Sequence, residues 1–176
     1  AQAAEEDYAP FITACALPEL VEAAVRSGES GVAIDALARL STRTGNGAGG
    51  SDWAAGIWAR SRALLSEGEI AERCYVEAIE RLASTPLRPD LARAHLLYGE
   101  WLRRQARRVD ARHQLRAAYD LFAAMGAEAF AERARTELQA TGERVRNAKL
   151  DAHAVLTPQE QHIARLARVG RTNAEI

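Results

Sequence analysis

The chain has 176 residues, a formal net charge of −1, 48% hydrophobic residues and 27% charged ones, which is enough length for one domain and the start of a second. No apolar run approaches the ~20 residues that span a bilayer, and a core of this size requires neither disulfides nor a structural metal. The opening Ala1-Gln2-Ala3-Ala4-Glu5-Glu6-Asp7 lacks the basic and apolar regions of a secretory signal, so a cytoplasmic location and no membrane partner are expected.

Ala, Leu, Arg and Glu dominate the chain and no segment sustains a period-2 alternation, so the expected fold class is all-α. Prolines at 10, 18, 86, 89 and 158 and the glycines between amphipathic runs are expected to begin or end helices. They predict helices over 18–27, 30–43, 52–66, 69–84, 89–105, 108–125 and 127–141. Connections this short favour antiparallel hairpins. Cys15 and Cys74 have no C-x-x-C spacing and are expected to be buried, reduced thiols.

Gly45-Asn46-Gly47-Ala48-Gly49-Gly50 satisfies G-x-G-x-x-G, and Glu69 follows about 20 residues later. The preceding segment reads as helix rather than strand, however, and no lysine follows Gly50, so a loop ending at a Ser51/Asp52 cap is expected in place of a nucleotide cradle. His95, His113, His153 and His162 show no metal-ligand spacing, and no nucleophile–base constellation appears. No metal, no cofactor and no enzymatic activity are expected. The stretch 88–116 holds eight arginines against Asp90, Glu100 and Asp110, which reads as a solvated helical surface. Lys149 is the sole lysine.

The second helices of the hairpins repeat a small residue, then larger or small apolar residues four and seven positions on: Ala33/Leu37/Leu40, Ala71/Tyr75/Ala78 and Ala111/Leu115/Ala118. Those positions share a helix face, and the small residue admits a close neighbour. Tyr98-Gly99 and Leu102 fall where the tetratricopeptide (TPR) pattern places its Leu-Gly and Tyr. The spacing of 38 and then 40 residues between instances exceeds the 34 of that unit, so the array resembles a TPR-like helical-hairpin solenoid with stretched hairpins. The helix at 127–141 would be its C-terminal capping helix. An irregular helical bundle is the alternative. The expected domains are a helical-repeat domain over 1–141, a polar linker over 142–155 and a new unit over 156–176.

That last unit carries Leu156-Thr157-Pro158-Gln159-Glu160, an apolar helix with Ile163, Leu166 and Ala167, Gly170, and then Thr172-Asn173-Ala174-Glu175-Ile176. Two Thr-x-x-Glu capping boxes around a glycine turn are the opening of a helix-turn-helix unit. The stretch resembles the start of the LuxR-family DNA-binding domain. The segment around Ala92–Arg104 looks like what lies upstream of that domain in the large ATP-dependent, MalT-like regulators. The resemblance implies a regulator whose complete parent binds DNA, with an ATPase segment upstream. Ile176 lies inside the second helix of that domain, so the 176 residues alone, an incomplete helix-turn-helix start without a recognition helix, are not expected to read a DNA site. In the complete protein Thr172 and Asn173 are candidate DNA-backbone contacts, with plain helix capping as the alternative.

The primary expectation is thus a sensor segment whose helical repeats bind a protein, peptide or small-molecule inducer, with oligomerisation possible. A TPR-type peptide-binding adaptor with no DNA-binding role is the runner-up. Trp53, Arg60, Arg93, Leu96, Glu100, Arg103 and Arg104 are the candidate ligand residues, because first helices of TPR hairpins line the inner groove and guanidinium groups suit carboxylates.

Overall fold

A computed structural model of the chain describes residues 2–45 and 50–143, with side chains from residue 15 onward. Residues 46–49, the bulk of the expected linker and the 156–176 unit, including Thr172 and Asn173, lie outside the described residues. Seven helices follow in chain order: α1 Gln2–Ser27, α2 Ser30–Thr44, α3 Asp52–Leu64, α4 Gly68–Ala83, α5 Arg88–Arg104, α6 Arg108–Ala124 and α7 Glu128–Ala140. No strand occurs among the described residues, and no described helix is long and apolar enough to cross a membrane. The helices belong to one contact-defined unit, Ala1–Glu143.

Helices α2 to α7 begin and end close to where proline, glycine and capping residues predict. Ser51 caps α3, its hydroxyl accepting from the Ala54 amide at 3.3 Å, and Pro89 sits in the first turn of α5, where its missing N–H costs nothing. The first helix departs from expectation. It starts at Gln2 and runs through both Pro10 and Pro18, although an internal proline removes a backbone hydrogen bond. Pro18 is buried, as are Leu17, Val21 and Ala24 beside it, so packing offsets that loss.

Four helix ends close in the same way. The amides of Glu29, Arg107, Ala127 and Glu143 donate to the carbonyls of Ala24, Leu102, Phe122 and Leu138 at 2.8–3.3 Å. The residue before each has positive φ: Gly28, Ala106, Gly126 and Gly142. This is the Schellman closure, which calls for a left-handed residue just past the helix.

The α3–α4 and α6–α7 connections turn the chain back on itself. Arg81, late in α4, pairs with Asp52 at the start of α3, and Arg112, early in α6, bonds Thr141 at the end of α7. The odd-numbered helices α1, α5 and α7 run parallel to one another: Glu19 and Arg26 of α1 meet Arg93 and Glu100 of α5, the same offset of 74 residues in both cases, while Arg103 of α5 meets Glu137 of α7. Between paired helices small residues set the spacing. A methyl group on Gly56 would lie 2.6 Å from Leu82 Cγ and one on Gly99 2.5 Å from Leu115 Cγ, closer than carbon atoms pack. Ala33, Ala71 and Ala111 are fully buried.

Candidate functional site

Where α1, α3, α5 and α7 face one another, four carboxylates interleave with four guanidinium groups. Glu22 accepts from Arg26 Nε at 3.2 Å, Arg93 Nε at 2.8 Å and Arg133 at 2.9 Å. Glu100 accepts from Arg26 at 2.7 Å and Arg133 Nε at 2.7 Å. Glu19 accepts from Arg93 at 2.8 Å and lies 3.5 Å from Arg60. Asp90 completes the set, accepting from Arg60 at 3.2 Å and from the Trp53 indole N–H at 3.0 Å. Carboxylates and guanidinium groups match in number, and each of the buried members Glu22, Arg60 and Glu100 has a partner of opposite charge, as burial of a charge requires. Burial pushes the Glu100 carboxyl up to about 7 against the opposing pull of Arg26. It pulls the Arg60 guanidinium below its ordinary range against Asp90 and Glu19. One donor is left over: Arg133 Nη2 is buried without a hydrogen-bond partner.

Beside this cluster opens a cleft of about 460 Å³. Its polar wall is Glu19, Arg60, Asp90 and Arg93; its apolar wall is Phe122, Met125 and Phe130, from the α6–α7 turn. The rings of Phe122 and Phe130 stack at 5.1 Å, and the Arg93 guanidinium lies 4.4 Å from the Phe130 centroid, within cation–π range. The cleft thus sets one apolar wall against a few convergent charged groups.

The candidate residues divide under this geometry. Arg60 and Arg93 line the cleft. Trp53 is half-buried and reaches it only through Asp90. Glu100 belongs to the buried cluster, and Arg103 is held by Glu137 at 2.5 Å. Leu96 is fully buried and so is a core residue rather than a groove residue, because its turn of α5 is covered on both sides. Arg104 is exposed, outside the cleft. Of the eight arginines in 88–116, Arg88, Arg104, Arg107, Arg108 and Arg116 are exposed, as a solvated surface requires, while Arg93, Arg103 and Arg112 are half-buried and held by Glu19 and Glu22, by Glu137 and by the Thr141 carbonyl. Of the two thiols, Cys74 is buried as expected but Cys15 is exposed; both are free.

The residues that sequence reasoning missed are the partners: Glu19, Glu22, Arg26, Asp90, Phe122, Phe130 and Arg133. The signal was present within the helix expected over 18–27, where Glu19, Glu22 and Arg26 recur at helical spacing, but nothing local says which distant arginines and carboxylates they meet. No family model, curated protein or solved structure matches the chain.

Proposed function

We propose that the chain is the sensory segment of a LuxR-type transcriptional regulator, with α1–α7 as TPR-like hairpins and the DNA-binding domain beginning at Leu156. The observation that carries this reading is the doubly capped motif Leu156-Thr157-x-x-Glu160…Gly170-x-Thr172-Asn173-x-Glu175-Ile176. Three features of the helical unit support it: antiparallel hairpins, parallel odd-numbered helices that share one face, and small residues at the closest helix contacts. In this reading α7 is the capping helix, its outer positions Glu132, Thr136 and Gln139 exposed to solvent. An inducer bound by the repeats would act through the chain that leads to Leu156.

The test is to express the gene's complete product and measure binding to DNA flanking that gene by fluorescence anisotropy at physiological salt. Site-specific binding, lost when the third helix of the domain is altered, is the expected result. A reading frame that closes directly after Ile176, or binding indifferent to sequence, would replace this reading with the peptide-binding adaptor.

A further inference from the structure

The cleft holds one carboxylate that is more exposed than its neighbours. The Glu19 side chain is 53% exposed, against 28% for Asp90 and 5% for Glu22, which anchor the same two arginines. It keeps one close bond, from Arg93 at 2.8 Å, while its approach to Arg60, at 3.5 Å, is long beside the 2.7–2.9 Å of a well-formed charge-assisted bond. Arg60 itself is only 3% exposed, and a guanidinium in such surroundings gains more from a close carboxylate than one in water does. If Glu19 turns out to solvent, Asp90 stays on Arg60 and Glu22 stays on Arg93. The cleft is then short of one negative charge, and two guanidinium groups face the stacked rings of Phe122 and Phe130.

We propose that this cleft binds a small monocarboxylate with an aromatic or branched apolar body, and that Glu19 occupies the carboxylate position until the ligand displaces it. One carboxylate restores neutrality where two would overshoot it. The apolar body lies against Phe122, Met125 and Phe130, and Arg93, already seated on the Phe130 ring, fixes the angle between the two halves of the ligand. As an inducer site the cleft rests on the regulator reading; as a binding site it does not.

The probe is 1-naphthaleneacetate, with 1-naphthaleneacetamide as the uncharged control, titrated into the 176-residue chain by calorimetry without DNA. The acid should bind about tenfold or more tightly than the amide, the usual loss when a charged acceptor becomes neutral. Glu19→Gln should tighten the acid by about three- to tenfold and leave the amide unchanged, since it removes only the competing charge. Phe130→Ala should weaken both, and a thermal midpoint within a few degrees of the parent's shows that each variant is folded. Equal binding of acid and amide, no gain in Glu19→Gln, or no binding of the acid to that variant would overturn the site. Such a failure with site-specific DNA binding intact removes the site and leaves the regulator; the converse leaves a carboxylate-binding helical protein.

Discussion

Ala106 has a φ of +60° at a turn whose three counterparts use glycine. A left-handed alanine costs about 1–2 kcal/mol, and glycine returns part of that gain through its freer unfolded chain. Ala106→Gly should therefore stabilise by roughly 0.5 kcal/mol, while Gly126→Ala, the reverse change in the next turn, should destabilise by about 1 kcal/mol; denaturant midpoints compare the two. Glu100 makes a second prediction at this scale. Its folded carboxyl titrates at about 7 against an ordinary 4.5, so the folded state holds the extra proton between those values and stability from this group rises as pH falls from about 7 toward 4.5. His95, whose folded pKa is lowered by burial, acts in the opposite sense below 6.5. The Glu100 contribution must therefore be read as the difference between the parent and Glu100→Gln in thermal melts at a series of pH values. The parent should gain on the order of 2–3 kcal/mol on the variant across that window; a difference that stays flat would exclude the titration.

At the scale of helices, contact distances set how much volume each pair tolerates. Ala111→Leu places a larger side chain in a fully buried position of α6 and should cost about 1–3 kcal/mol by overpacking; an unchanged melting midpoint would move α6 to another register. Gly99→Ala, against Leu115 Cγ at 2.5 Å, should also destabilise. The positions of α2 to α7 were legible because proline, glycine or capping residues stand at most of their ends and the alanine register repeats along the buried faces of α2, α4 and α6. Gly99 was legible as a contact point, whereas Gly56 carries the same constraint against Leu82 without any motif around it. Most of α1 was not legible, since Pro10 and Pro18 read as boundaries and the packing that offsets Pro18 is visible only in the finished fold. The cleft was half legible: arginines on first helices pointed to Arg60 and Arg93, but no local pattern states that Glu19, 74 residues away, answers Arg93.

Across the whole helical unit, Arg133 joins Glu22 of α1 to Glu100 of α5. Arg133→Ala leaves two buried carboxylates short of a donor and should cost ~3 kcal/mol, more than truncating the exposed Arg81 of the Arg81–Asp52 pair, where ~0–1 kcal/mol is usual. Paired chemical denaturation curves check the ranking. The reach of that arginine also bears on how the chain folds. In an open array each repeat meets only its neighbours, so ordering can nucleate anywhere and ends can fray alone. Here Glu22 and Arg133 are 111 residues apart in sequence, and their contact forms only after a loop of that length has closed. Amide exchange in α1 and α7 should accordingly share one opening free energy, and independent fraying of either helix would show that this contact does not couple the two ends.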